Sequence, residues 1–497
     1  MAAMRPIQPV DSAALAARAA FARSLPRGAV HAALDTLAEA LESAREPLLA
    51  LAAGESALSL DELAPEFARM TGTLRLFAAA SRQGAWSRPT IDTPAPLSIG
   101  PGHDCRSMLV PLGPVAVFGA SNFPLAYGVC GGDTASALAA GCPVIVKEHP
   151  AHPRTGRALA ALARSALDAC GLEGFFHYLL HEDPLDHSIA RALVAHPAVA
   201  AAGFTGSRTG GLALESVARA RPTPIPVFAE MGSANPVIVT PAAAAHRADD
   251  TARSLADAIL LRHGQQCTCP GIILLAGAHE QGRALIVALS RRLGSAPARR
   301  MLAPWIADAF LRRIAECRQA GVTVLAGGAA APEGHAATVL LSTDLETFRA
   351  SPTLHDECFG PSALIVDLPE FDSLAEAPLP PSLTCTVITA GPDDPDAPRA
   401  LARAVESAGR VIIDGVPTGV RVCDSMVHGG PYPATNAPHT TAVGPRAIER
   451  WCRPITWQHC PDHLLPPALQ NANPLALTRT VNGRLTSNPV GAPATGF

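Results

Sequence analysis

The sequence lacks a long apolar segment, a strong charge imbalance and a regular cysteine spacing. No uncharged apolar run reaches about 18 residues, so we expect no membrane-spanning helix. The formal net charge of −4 over 497 residues argues against nucleic acid as the main partner. The 12 cysteines are scattered, which is unlike a disulfide scaffold and fits a reduced, cytoplasmic compartment.

Aromatic residues make up only 4% of the chain, whereas 48% of its residues are hydrophobic, which is enough for a large core. The length predicts two or three domains, and no internal repeat is evident. The pair Cys267-Thr268-Cys269 is too closely spaced for a zinc site, so we expect no metal. The Arg- and Ala-rich segment Met1–Arg27 resembles a transit peptide superficially, but a first helix capped by Asp11-Ser12 is favoured.

Short apolar runs alternate with helical patterns between residues 114 and 231. This alternation predicts a doubly wound, mostly parallel α/β sheet, which binds its ligand at the carboxyl ends of the strands. The predicted strands are Pro114–Gly119, Val144–Val146, Phe175–Leu180, Val199–Phe204 and Ile225–Ala229. Polar or charged residues follow several of these strands directly: Asn122, Lys147, Thr205–Ser207 and Glu230.

A second alternating block, from about residue 231 to 424, predicts another α/β domain. Its predicted strands are Pro236–Val239, Ile272–Leu275, Ser362–Val366, Cys385–Thr389 and Val411–Ile413. The Pro- and Ser-rich stretch Gly84–Pro101 indicates a connector or a hairpin arm. The last 70 residues or so have little periodicity, which is typical of a tail that lies over a partner subunit.

Cys267 lies between a helical pattern, Ala252–Leu261, and the apolar run that starts at Ile272. Glycine and proline on both sides predict a sharp turn, in which backbone N–H dipoles would lower the pKa of the thiol. A lone cysteine of this kind is more often a buried structural thiol. Asn122 alone is more often a turn former, and Glu230 alone could cap a helix.

Together, these residues describe one chemistry. A thiolate attacks a carbonyl, while the Asn122 amide and the backbone N–H of the cysteine hold the oxyanion. A carboxylate at Glu230 then activates water to release the acyl group. A nucleotide over the strand ends accepts hydride between the two steps.

Six ordered segments resemble the aldehyde dehydrogenase superfamily over nearly the whole chain. They are Phe118–Pro124, Val146-Lys147, Gly203–Ser207, Phe228–Gly232, Gly264–Thr268 and Asp356–Pro361. The resemblance implies a Rossmann-type cofactor domain, an α/β catalytic domain and a small oligomerisation arm. The implied division is residues 1–92 and 112–231 for the dinucleotide, 232–424 for catalysis, and 93–111 with 425–497 for the arm and tail of a homodimer or homotetramer.

The resemblance also implies roles for individual residues. Cys267 is then the nucleophile, Glu230 the general base and Asn122 the oxyanion ligand. The implied cofactor-binding residues are Lys147 and Glu357 at the ribose hydroxyls, Gly206 and Ser207 at the pyrophosphate, Phe359 near the nicotinamide, and Phe118 at its strand end.

Three further segments are similar to the α-ketoglutarate semialdehyde (2,5-dioxovalerate) dehydrogenases: Gly131–Pro143, Pro150–Pro153 and His428–Thr435. This similarity implies a short oxo-acid semialdehyde as the substrate. Gln266 departs from that branch, which leaves open an NADP-linked fatty or long-chain aldehyde dehydrogenase. A non-catalytic binding protein on the same fold is the alternative from a different class.

The resemblance favours NADP with NAD tolerated, because Pro150 replaces an acid that often repels the 2′-phosphate. His149, His152 and Arg154 are candidate partners for that phosphate, whereas Glu148 opposes it. A substrate carboxylate also needs an arginine. Its sequence candidates are Arg75, Arg262 and Arg421, each of which could equally be a solvated or helix-pairing residue.

Overall fold

The computed structural model describes residues 8–23, 28–94, 102–180, 183, 186–277 and 280–491. The α-helices in these ranges are α1 (Gln8–Phe21), α2 (Ala29–Ser43), α3 (Arg45–Ser56), α4 (Leu60–Gln83), α5 (Gly132–Ala139), α6 (Pro153–Ala169), α7 (Ser188–Ala195), α8 (Arg208–Arg219), α9 (Pro241–His246), α10 (Ala248–Leu260), α11 (Arg283–Gly294), α12 (Pro304–Gln319), α13 (Leu345–Ala350) and α14 (Ala397–Ser407). Each of them is too short or too polar to cross a membrane.

The strands in the same ranges are β1 (Thr90–Asp92), β2 (Cys105–Pro111), β3 (Val115–Phe118), β4 (Val144–Lys147), β5 (Phe176–Leu179), β6 (Ala201–Thr205), β7 (Val227–Glu230), β8 (Pro236–Val239), β9 (Ile272–Ala276), β10 (Arg299–Arg300), β11 (Thr323–Gly327), β12 (His335–Ala336), β13 (Val339–Asp344), β14 (Ser362–Leu368), β15 (Ser382–Ile388), β16 (Ala408–Ile413), β17 (Cys452–Gln458), β18 (Arg479–Val481) and β19 (Arg484–Thr486).

The first α/β sheet has the order β5-β4-β3-β6-β7, and all its neighbours are parallel. This confirms the predicted doubly wound sheet, whose strands are apolar because helices cover both faces. The last strand ends at Glu230, one residue later than predicted, and starts at Val227 rather than Ile225. The carboxylate therefore belongs to the strand end itself.

The second α/β sheet has the order β11-β13-β14-β9-β8-β15-β16. All pairs are parallel except the edge pair, β11 with β13. The five strands predicted for this block are all present, whereas the edge strand β11 and its neighbour β13 were not predicted. The carboxyl ends of β8 and β9 do not carry Cys267, which instead precedes β9 in the chain.

A third sheet, β17-β2-β1-β18-β19, joins the predicted arm to the C-terminal region. Strand β17 pairs with β2 over seven residues, and β18 pairs with β1. The prediction of a tail with little regular structure was therefore wrong for residues 452–458, 479–481 and 484–486. Residues 95–101 of the arm and 492–497 of the tail lie outside the described ranges.

The first helix starts at Gln8, so the predicted helix is confirmed but its predicted cap at Asp11-Ser12 is wrong. Residues 1–7 and 24–27 of the segment compared with a transit peptide lie outside the described ranges. Helix α4 begins with a capping box between Ser59 and Glu62 and runs for 24 residues. Its buried face packs on α2 and α5, which brings its middle close to the turn after β3.

Candidate active site

The turn that carries Cys267 connects α10 to β9. After Leu260, the left-handed backbone at Arg262, His263 and Gly264 reverses the chain, with φ values of 50°, 55° and 69°. A Cβ on Gly264 would lie 2.1 Å from the carbonyl oxygen of Gly360, so only glycine fits. The predicted order of helix, turn and strand is confirmed, and the turn packs against the loop that precedes β14.

Asn235 holds the cysteine turn from below. Its buried side-chain amide donates to the carbonyl oxygens of Cys267, at 2.8 Å, and Cys269, at 2.9 Å. The hydroxyl of Thr384 in turn donates to the side-chain oxygen Oδ1 of Asn235 at 2.9 Å. Sequence reasoning did not single out Asn235. Its position between Ala234 and Pro236, just before a strand, was the available signal, because asparagine tolerates the positive φ of 46° found there.

The Cys267 thiol is partly exposed and lies 3.8 Å from Nε2 of His428. Burial raises the pKa of this thiol to about 12, and the carboxylates of Glu357 and Glu230 act in the same direction. The prediction of a lowered thiol pKa is therefore wrong for this state, because burial and two acids outweigh the backbone N–H dipoles. Burial also lowers the pKa of His428, to about 3, so the thiol and the imidazole are both neutral near pH 7.

The sequence predicted no role for this imidazole, although the segment His428–Thr435 carries part of the family resemblance. Its partner lies 161 positions away in the chain, so only the fold brings the two side chains together. The segment is fixed by a backbone bridge between Thr435 and Glu230 and by the N–H of Met231, which donates to the carbonyl of Ala434 at 2.8 Å. The end of β7 and the His428 segment are thus one unit.

Glu230, the last residue of β7, places a buried carboxyl group within that unit. Its Oε2 is buried and has no hydrogen-bond partner among the described residues. Burial raises the pKa of Glu230 to about 8; Asp133 raises it further, and Arg450 opposes both. A carboxyl group that exchanges its proton close to neutral pH has the property that a general base needs.

Asn122 contacts the cysteine turn through its side chain. Its side-chain amide donates to the carbonyl of Gln265 at 3.0 Å, and its own carbonyl accepts from Arg262 at 2.8 Å. The amide therefore reaches the turn that carries the thiol. Gln266 is buried and donates to the carbonyl of Leu261 at 3.2 Å, so its side chain turns back along the chain.

The three arginines suggested for a substrate carboxylate are placed differently from that expectation. Arg262 is buried and pairs with Glu66 at 2.7 Å, so its charge is already matched inside the protein. Arg75 pairs with Glu42 at 3.6 Å on the outer side of α4. Arg421 is exposed. The idea that Arg262 binds substrate is wrong, because Glu66 and two main-chain carbonyls occupy its guanidinium.

Several predicted cofactor residues meet at one edge of the first sheet. Phe118 and Lys147 are paired neighbours at the ends of β3 and β4. Burial lowers the pKa of Lys147. Ser207 caps α8 by accepting from the N–H of Gly210 at 3.2 Å, which confirms that this turn opens a helix. The N–H of Gly206 donates to the carbonyl of Glu230 at 3.0 Å, which ties the cap to the end of β7.

Glu357 and Phe359 lie in the loop between α13 and β14, opposite that edge. A Cβ on Gly232 would lie 2.4 Å from the Glu357 carboxylate, so the two chain segments are in contact. Burial raises the pKa of Glu357 to about 8. Ser233, Gln266, Glu357 and Phe359 line a common cavity beside the cysteine turn. An ammonium, a carboxylate and a capped helix N-terminus form a donor set that suits a dinucleotide.

The residues suggested for a 2′-phosphate also differ in availability. His152 is buried and stacks on His149, and its Nε2 lies 3.1 Å from the carbonyl oxygen of Ala120. The prediction that His152 meets a phosphate is therefore wrong, because the ring is enclosed. Glu148 is buried and pairs with Arg157 at 2.7 Å, so its charge is matched. Arg154 is exposed in the first turn of α6.

The chain is similar to known proteins over most of its length. The sequence model of the Aldehyde dehydrogenase family matches residues 6–389. The chain is 44% identical over 488 residues to alpha-ketoglutaric semialdehyde dehydrogenase 2 of Azospirillum brasilense, covering 96% of this chain and 91% of that protein. It is 39% identical over 491 residues to alpha-ketoglutaric semialdehyde dehydrogenase of Acinetobacter baylyi, covering 96% and 92%.

Solved structures show the same fold at lower identity. A variant of proline utilization A from Bradyrhizobium japonicum superposes with a TM-score of 0.76 at 23% identity, covering 92% of this chain and 46% of that one. Aldehyde dehydrogenase 21 from Physcomitrella patens superposes with a TM-score of 0.73 at 20% identity, covering 92% and 90%. The predicted fold class is thereby confirmed.

Proposed function

This chain belongs to the aldehyde dehydrogenase family, which oxidises aldehydes with NAD(P), and from that premise we propose that Cys267 is its nucleophile and a short oxo-acid semialdehyde its substrate. The observation that carries the proposal is the convergence of Cys267, His428 and Glu230 on one buried spot, although the chain separates them widely. Three side chains of these types suit the two half-reactions that aldehyde oxidation requires.

In the first half-reaction, Cys267 attacks the aldehyde carbon while His428 takes the thiol proton. The imidazole is unprotonated near pH 7, since burial lowers the pKa of His428 to about 3, and its Nε2 lies 3.8 Å from the sulfur. The amide of Asn122 stabilises the oxyanion of the tetrahedral adduct once its bond to Gln265 is exchanged for the substrate. Asn235 keeps the turn in place while the sulfur changes its bonding.

In the second half-reaction, Glu230 takes a proton from the water that hydrolyses the thioester. Its raised pKa, about 8, makes it a stronger base than an ordinary carboxylate once it is ionised. A nicotinamide dinucleotide, when bound, would supply hydride acceptance between the half-reactions. Lys147 and Glu357 would hold its ribose hydroxyls, Gly206 and Ser207 its pyrophosphate, and the rings of Phe118 and Phe359 would line its binding site.

The proposed substrate is α-ketoglutarate semialdehyde (2,5-dioxopentanoate), which would be converted to 2-oxoglutarate. The support for it is the name shared by the two relatives at 44% and 39% identity, each of which matches 96% of this chain. The proposed oligomer is a homodimer or homotetramer. It would use the third sheet, which residues 105–111 and 452–458 build together.

We further propose NADP as the preferred cofactor, with NAD tolerated. Pro150 stands where an acid would repel a 2′-phosphate, and the nearby acid Glu148 is matched by Arg157. Arg154 is the exposed cation at this end of α6. Steady-state ratios of kcat/KM for NADP and NAD measure the preference, and a higher value for NAD would refute it.

The experiment that tests the function measures NADPH and NADH formation across semialdehydes and a chain-length series of plain aldehydes. Wild-type protein should favour 2,5-dioxopentanoate, whereas a preference for long-chain aldehydes would point to the fatty aldehyde alternative. Cys267→Ala should abolish turnover while cofactor binding, followed by fluorescence, is retained. His428→Asn should slow alkylation of Cys267 by iodoacetamide about 100-fold. Cys269→Ala, two residues away, is the matched control and should react normally; turnover by Cys267→Ala would overturn the proposal.

A further inference from the structure

The wall beyond the thiol and its imidazole is built by Tyr127. The Tyr127 ring stacks on His428, with centroids 6.4 Å apart and 23° between the planes. It also meets Phe123 edge to face at 5.4 Å. A substrate whose aldehyde carbon reaches Cys267 therefore has Tyr127 as the next surface along its chain.

Arg69 comes to this wall from the middle of α4. It lines one small cavity together with Ala126, Tyr127 and Val422. Its guanidinium donates to the carbonyl oxygen of Val420 and is close enough to Tyr127 to oppose the effect of burial on the pKa of that phenol. Arg69 is partly buried.

Arg410 comes to the same wall from the opposite side, on β16. It donates to the carbonyl oxygens of Pro417 and Gly419, the latter at 3.0 Å. Its Nε is buried and has no hydrogen-bond partner among the described residues. Arg69 and Arg410 thus donate to one short segment, Pro417–Val420, so the two guanidinium groups lie near each other. Burial lowers the pKa of Arg410, and Cys267 and Tyr127 oppose that effect.

No carboxylate in the described ranges pairs with either guanidinium. Arg262 and Arg450, the other buried cations close to the site, have acids at 2.7 Å, Glu66 and Asp133 respectively. Bringing two like charges together in a partly dry pocket costs free energy unless an anion joins them. The segment to which both arginines donate, Pro417–Val420, accepts these hydrogen bonds through neutral backbone carbonyl oxygens.

We propose that Arg69 and Arg410 bind the distal carboxylate of the substrate, and so select oxo-acid semialdehydes over neutral aldehydes. This assignment rests on the proposed function, because it presumes that the aldehyde is attacked at Cys267. Guanidinium groups are suited to a carboxylate by their planar, forked donors. The Nε of Arg410 is an N–H already positioned without a partner. Tyr127 stacks on His428 and lines the same cavity as Arg69, so it contacts both parts of the proposed site.

The test compares Arg69→Met and Arg410→Met on two aldehydes of equal length, 2,5-dioxopentanoate and pentanal. Loss of one charged hydrogen-bonding group should raise KM for the acid roughly 10- to 100-fold. KM for pentanal should change less than about twofold, because pentanal has no charge to bind. Any change in kcat should be the same for both substrates, because the two guanidinium groups also act on the pKa of His428. Arg75→Met is the matched control: it removes an arginine from the same helix, but one that pairs with Glu42.

A purely structural role gives a different pattern. If the arginines only hold the segment Pro417–Val420, KM changes equally for both substrates and the proposal is overturned. It is also overturned if neither substrate is affected. Arg69→Lys and Arg410→Lys keep the charge and guard against misfolding of the Met variants; they should bind the acid with intermediate KM. A wild-type protein without preference for the acid would refute the proposed substrate class, whereas a preference that survives both Met variants refutes only this assignment.

Discussion

Replacing Glu230 by Gln should strongly slow turnover. It should also make the variant increasingly more stable than the wild type as the pH rises. Burial raises the pKa of this carboxyl from 4.5 to about 8. Between these two pH values, the folded state keeps a proton that the unfolded state has lost. The free energy of unfolding therefore falls with increasing pH, and the glutamine variant lacks this loss because its amide does not titrate.

The magnitude follows from the size of the shift. One proton retained on folding changes the free energy of unfolding by about 1.4 kcal/mol per pH unit. From pH 6 to pH 8 the variant should therefore gain about 2 kcal/mol over wild type, allowing for partial ionisation near pH 8. Any fixed cost of burying the glutamine amide is the same at both pH values and cancels from this difference.

Urea unfolding at pH 6, 7 and 8 measures the effect, since buried Trp451 provides a fluorescence signal. The exposed Glu370→Gln is the matched control and should show no such gain. On the kinetic side, Glu230→Gln should retain a burst of reduced cofactor but turn over at least about 100-fold more slowly. A stability difference that is constant or shrinks with pH would refute the reasoning, as would normal steady-state turnover.

Two other variants test how the site is held. Glu66→Ala leaves a buried guanidinium unpaired and should lower the free energy of unfolding by about 3–5 kcal/mol in urea titrations, with kcat falling because the Asn122 turn loosens; unchanged stability would contradict this. Gly264→Ala forces a Cβ to 2.1 Å from a carbonyl oxygen and should cost more than about 3 kcal/mol or prevent folding. Gly321→Ala, also at positive φ but with its nearest neighbour at 4.0 Å, should cost only about 1 kcal/mol; equal losses would show that crowding at Gly264 is unimportant.

Much of the fold follows from local pattern. Ten of the twelve strands of the two α/β sheets are apolar runs that could be read from the sequence, whereas β11 and β13 could not. The C-terminal strands could not. Pro454 lies inside β17, which argues against a central strand, but β17 is the edge of its sheet, where a missing N–H is tolerated. The domain boundaries and the roles of the site residues stay predictions.

The site residues that sequence reasoning missed are those whose meaning depends on a distant partner. Arg262 is of the residue type that binds a substrate carboxylate, but Glu66, nearly two hundred positions earlier, pairs with its charge. Arg69 and Arg410 look like ordinary helix and strand residues, yet folding brings them together without an acid. What distinguishes a binding arginine from a structural one is the neighbouring charge, and this is a property of the folded molecule.

The thiol and the imidazole of the resting site cannot exist as a standing ion pair. Their pKa values, about 12 for Cys267 and about 3 for His428, place the proton firmly on sulfur. The proton must therefore leave as the carbon–sulfur bond forms, when the negative charge passes to the oxyanion. We propose that the Asn122 amide hydrogen-bonds that oxyanion, because it already donates to the turn that carries the thiol.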